Sequence, residues 1–72
     1  SYRALEILSD LYNAKALAAE KSGDKQLFQT YMKEAISFLR QALKISNTMP
    51  KKSLHIARIQ TKLDKLSQQT QN

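Results

Sequence analysis

The sequence predicts an all-α fold, an antiparallel three-helix bundle, and three observations lead there. Apolar residues recur at spacings of three and four over three separate stretches, and no stretch alternates with period two between turn signals. Only two breaks divide the 72 residues, one at the single glycine, Gly23, and one at the single proline, Pro50. Three amphipathic helices joined by two short connections fold up-down-up. One unbroken coiled coil, the plain alternative, is opposed by those same two residues. A chain this short buries only about 60% of the surface it exposes unfolded, so one domain with a thin core is expected over 1–68, followed by a frayed polar tail at 69–72.

The first helix is predicted from about Tyr2 to Ser22, with Ser1 as its cap. Leu5, Leu8, Leu11, Tyr12, Ala16 and Ala19 form the expected packing stripe, and the alanines near Gly23 allow close approach of the next helix. Glu6 and Asp10 near its start and Lys21 at its end suit the helix dipole. Gly23 can take the left-handed conformation that closes a helix, and Asp24 can accept the first free amides of the next.

The second helix is predicted over 25–46. Phe28, Tyr31, Met32, Ala35, Phe38, Leu39, Ala42 and Ile45 form its main stripe, which Leu27, Ile36 and Leu43 widen. It is therefore expected to touch both neighbours. Asn47, Thr48, Met49 and Pro50 break the chain again, because proline cannot continue a helix but suits a first turn. The third helix is expected over 51–68, with Ile56, Ile59, Leu63 and Leu66 on its apolar face.

Composition narrows the function. There is no cysteine, so helix packing alone has to stabilise the chain, which fits a reducing compartment. No apolar run approaches the roughly 18 residues of a membrane span, and no signal peptide is visible. With helical sequence almost at once and no initiator Met, the chain reads as a module of a larger protein. His55 is the only histidine, with no carboxylate at its helical neighbours, so no metal site is expected. Ser9, Asp10 and His55 include triad residue types without a nucleophile elbow, and one glycine cannot build a phosphate loop. The expectation is a chain without catalytic residues or cofactor.

Charge points to binding. The formal charge of +6 divides into zero over 1–22, +2 over 23–47 and +4 over 48–72. Lys51, His55, Arg58, Lys62 and Lys65 line one side of the third helix, about 100° around from its apolar stripe. A solvated helix face is the plain account of such a stripe. The functional account is a cationic border beside an apolar groove, suited to an acidic amphipathic segment. Ile36, Leu43 or Leu54 are apolar positions left over for such a groove. The expected partner-binding set is Ile56, Ile59, Leu63, Leu66, Arg58, Lys62, Lys65, Ile36 and Leu43. Nucleic acid or an anionic membrane surface is the alternative partner, although Tyr2, Tyr12, Phe28, Tyr31 and Phe38 do not interleave with the basic residues as a base-stacking surface would require.

Over Gly23 to Lys44 the sequence resembles the microtubule-interacting and trafficking (MIT) domain. Gly23-Asp24, Ala35-Ile36, Phe38-Leu39 and Ala42-Leu43-Lys44 stand in the register of that family's turn and second helix. The helix lengths and the proline-containing second connection are similar too. Gln26, Phe28 and Met32 depart from the usual pattern, so the resemblance is to a divergent member. It implies a noncatalytic adaptor of the cytoplasm, recruited to endosomal or autophagic membranes, that docks short motifs from ESCRT subunits or autophagy factors. The docking grooves it implies lie between the second and third helices and between the first and third. Tetratricopeptide repeats share the Gly-Asp turn and paired alanines, but both long helices exceed the 34-residue repeat geometry. A fragment or cap of such a repeat protein is the structural alternative.

Overall fold

The computed structural model describes residues 1–48 and 52–70, with side chains described from 55 onward in the second stretch. The expected break at Met49 and Pro50, the basic Lys51 and the Leu54 side chain lie outside those residues. Three helices are present, α1 (Tyr2–Lys21), α2 (Lys25–Ser46) and α3 (Lys52–Thr70), with no strand among the described residues. They form an antiparallel three-helix bundle with α2 central, packed most extensively on α1 and then on α3. Helix α3 runs through Thr70, beyond the expected end at Gln68, and the Thr70 hydroxyl donates to the Ser67 carbonyl at 2.9 Å.

The first turn has the anticipated chemistry. Gly23 sits at φ 83°; its N–H donates to the Glu20 carbonyl and the Asp24 N–H to the Ala19 carbonyl, both at 3.0 Å. That is the Schellman arrangement, which satisfies the last carbonyls of α1. Asp24 also opens α2, its Oδ1 accepting from the Leu27 N–H at 3.0 Å. One residue thus ends one helix and begins the next.

The core lies along α2. Phe28, Met32, Ala35, Ile36, Leu39 and Ala42 are buried there, against Ala16 and Ala19 of α1 and Ile59, Leu63 and Leu66 of α3. Tyr12 packs its ring against Tyr31 and Phe38, with centroids 6.0 and 5.5 Å away.

Helix α1 turns the expected side inward at Leu5, Tyr12, Ala16 and Ala19, but not at the two remaining positions of the expected stripe. Leu8 and Leu11 are exposed, while Tyr2, Glu6, Ser9, Ala16 and Ala19 are buried. Hydrophobic spacing does not foresee that Glu6 and Ser9 are buried while Leu8 and Leu11 are left outside. Polar partners decide: the Ser9 hydroxyl donates to the Ala35 carbonyl of α2 at 2.8 Å, and Glu6 meets the cations of α3. Alanines at 16 and 19 let α2 approach closely on that same side.

Candidate functional site

The basic stripe of α3 faces α1. The Arg58 guanidinium grips Glu6 with two parallel bonds, Nε to Oε2 at 2.9 Å and a terminal nitrogen to Oε1 at 2.8 Å. Lys62 Nζ lies 2.7 Å from Glu6 Oε2 and 3.2 Å from Asp10 Oδ1. Arg3 adds a longer contact to Glu6 at 3.7 Å. One turn earlier, the Tyr2 hydroxyl lies 2.9 Å from Nδ1 of His55. Tyr2, Glu6 and Asp10 recur every four residues on α1 and meet His55, Arg58 and Lys62 in parallel register, as the first and third helices of an up-down-up bundle must.

Electrostatics follow this geometry. The Arg58 hydrogen bond, with Lys62 adding to it, holds the Glu6 carboxyl down at about 2 against the opposing effect of burial. Glu6 raises the Arg58 pKa in return. Burial alone would lower the Lys62 pKa, but the hydrogen bonds its ammonium donates to Glu6 and Asp10 outweigh it and raise it. Two of the three α3 cations assigned to partner binding are therefore neutralised within the fold, and only Lys65 has no carboxylate within 4 Å among the described residues.

The apolar members of the expected site are likewise engaged. Ile59, Leu63 and Leu66 are core residues, Ile36 is buried at the core's edge, and Leu43 and Ile56 are partly covered. An apolar docking edge on α3 built from Ile59, Leu63 and Leu66 is thus taken up by the core packed along α2. The reason is geometric: α3 supplies one apolar stripe, and the thin core uses it entirely.

Two open grooves flank α3. The larger, about 680 Å³, runs between α2 and the end of α3, lined by Lys33, Ile36, Ser37, Arg40, Gln41 and Lys44 from α2 and by Ser67 and Thr70 from α3. Lys33, Ser37, Arg40 and Lys44 follow at spacings of four, three and four, so one helix face carries three cations. None of the three has a carboxylate within 4 Å among the described residues. The smaller groove, about 160 Å³ between α1 and α3, has Leu39 and Leu66 among its lining residues along with Ser9, Asn13 and Lys65. Asn13 Oδ1 is buried there without a hydrogen-bond partner among the described residues.

The sequence reading placed the working cations on α3, whereas the unpaired ones cluster on α2. The signal for them was present, since the spacing of Lys33, Arg40 and Lys44 is that of a helix face. What hid it was the higher charge of the third segment, which no local pattern shows to be offset by Glu6 and Asp10. No group of three or more His, Asp or Glu side chains able to hold a metal ion occurs among the described residues. No described helix is long and apolar enough to cross a membrane. Comparison with known protein families, with characterised proteins and with solved structures gives no match for this chain.

Proposed function

We propose that this chain is a noncatalytic protein-interaction module that docks a short, acidic amphipathic segment along the groove between α2 and α3. The observation that carries this reading is the row of Lys33, Arg40 and Lys44 beside a groove with Ile36 in its wall, with no carboxylate within 4 Å of the three among the described residues. Long-range attraction to three cations steers an acidic segment and sets its register, while apolar contact with Ile36 and the stems of the long side chains adds affinity. An ESCRT subunit or autophagy factor is the class of partner suggested by the resemblance to MIT domains, which are also implied to use this groove. The role that Arg58, Lys62 and Lys65 were expected to play falls in this reading to the α2 cations.

Fluorescence anisotropy with a labelled acidic amphipathic peptide tests it. Replacing Arg40 and Lys44 together by Glu should weaken binding by at least about tenfold, because rim cations become like charges against the ligand. Raising salt from 50 to 200 mM should weaken the peptide complex only modestly. Binding to DNA or to anionic vesicles, if that were the function, would fall by about a thousandfold or more for a ligand contacting six or more phosphates. Peptide affinity that ignores the Arg40/Lys44 change would sink the α2–α3 assignment, and its loss on Lys65→Glu would move the site to the α1–α3 groove.

A further inference from the structure

We infer that a second copy of this chain packs against the outer side of α1, helix to helix and in parallel. Ala4, Ile7, Leu11, Ala14 and Ala18 follow at spacings of three, four, three and four, the seam of a two-stranded coiled coil. All five are exposed, Ile7 at 61% and Leu11 at 51%, because the core residues of α1 lie on its opposite side; Lys15, on one edge of the seam, rests its Nζ over the Tyr12 and Tyr31 rings and in the dimer swings outward from there. Leu8 and Leu17, exposed as well, flank the seam on its two edges. Four of the six large exposed hydrophobic residues among the described ones thus lie on or beside one helical seam. The alanines allow the two backbones a close approach.

Charge selects a second copy and its direction. Helix α1 lies in the part of the chain with no net charge, whereas the surplus of +6 resides in the segments of α2 and α3. Two copies of so basic a protein meet with least repulsion through α1. In parallel register each residue on one edge of a seam faces the residue five positions later on the other edge of its partner helix. Asp10 then meets Lys15 of the second copy, and the two-fold axis repeats the pair; Arg3 meets Leu8 and Leu17 meets Ser22, so no like charges oppose. Asp10 is 61% exposed in its side chain and has room for a second cation beside Lys62. In antiparallel register these edges bring together no opposite charges. A single pair of helices buries less than a standard interface, so the expected dimer is weak, with a Kd on the order of tens of micromolar.

Sedimentation equilibrium across a concentration series tests the inference. The unmodified chain should pass from monomer to dimer, and Leu11→Glu should remain monomeric at every concentration with an unchanged circular-dichroism melt, since Leu11 makes no core contact. Lys15→Glu should weaken the dimer about two- to fivefold, the effect of an exposed pair. The chain has no cysteine, so Ala4→Cys and Ala18→Cys report direction. Each variant alone should form its own disulfide dimer on mild oxidation, and an equal mixture of the two should yield little of the crossed product that joins one variant to the other. A chain that stays monomeric up to about 1 mM, well above that constant, would overturn the inference and assign the seam to a different protein or another segment. So would dimerisation that Leu11→Glu leaves intact, or a mixture dominated by the crossed disulfide.

Discussion

Glu6 shows how a polar residue can specify the placement of a helix in a small core. Its side chain is 5% exposed and is held by Arg58 and Lys62, which are themselves about one-third exposed. A carboxyl titrating at about 2 instead of 4.5 contributes up to about 3 kcal/mol. That contribution is fully present above pH 4.5 and is lost as pH falls towards 2, because the unfolded chain takes up the proton first. Glu6→Gln should therefore lower the urea-derived stability by about 2 kcal/mol at pH 7, somewhat below the full value because both cations can regain water. The gap to the unmodified protein should narrow steadily below pH 4.5 and close only below about pH 2, and a pH-independent gap would show that packing, not charge, is what the substitution removes. Ser46 presents the opposite case. It is fully buried at the end of α2 and its hydroxyl has no hydrogen-bond partner among the described residues. Burying an unsatisfied hydroxyl is unfavourable, and alanine is the better helix former. Ser46→Ala should raise stability by about 1 kcal/mol in the same urea titration, and any loss of stability would mean the hydroxyl is satisfied in solution.

At the scale of the element, the turn between α1 and α2 separates two local effects. A Cβ at Gly23 would meet nothing within 4 Å, so the cost of Gly23→Ala is the left-handed backbone alone, about 1 kcal/mol. Asp24→Ala removes the cap of α2 and should also cost about 1 kcal/mol. Thermal melts should show both losses, and Gly23→Asn, which tolerates positive φ, should recover part of the first. These positions were legible in the sequence because caps and left-handed turns depend on residues within a few positions of one another. The extents of α1 and α2 were legible for the same reason. The inward side of α1 was legible at Leu5, Tyr12, Ala16 and Ala19, but the exposure of Leu8 and Leu11 and the burial of Glu6 and Ser9 were not. Those depend on Ser9 meeting Ala35, 26 residues away, and on Glu6 meeting Arg58, 52 residues away. The basic stripe of α3 was similarly legible as a stripe. Its neutralisation by α1 was not, and this shifts the candidate site to the cations of α2.

Across the whole molecule, the three helix pairs are joined by different chemistry. Helices α1 and α2 share alanine-lined close packing, the Tyr12–Tyr31–Phe38 cluster and the Ser9 bond. Helix α3 is seated on α2 through Ile59, Leu63 and Leu66, but its described polar bonds and ion pairs to α1 are those of Glu6 and Asp10 with Arg58 and Lys62, together with the Tyr2–His55 contact. The α1–α2 hairpin therefore keeps more of its own contacts when α3 leaves than α3 keeps when it detaches. Regions of lower contact density open first and independently of the global transition. Native-state hydrogen exchange should accordingly find the most protected amides of α3 opening at a free energy about 1–2 kcal/mol below those of α1 and α2. Salt separates this from simple fraying. Raising the ionic strength towards 0.5 M screens the exposed Lys62–Asp10 contact more than the buried grip on Glu6, so exchange across the middle of α3 should quicken by about two- to fivefold while α2 is little changed. Equal protection in all three helices, with the same salt response in each, would mean that the bundle opens as one unit and that the ionic contacts do not set the stability of α3.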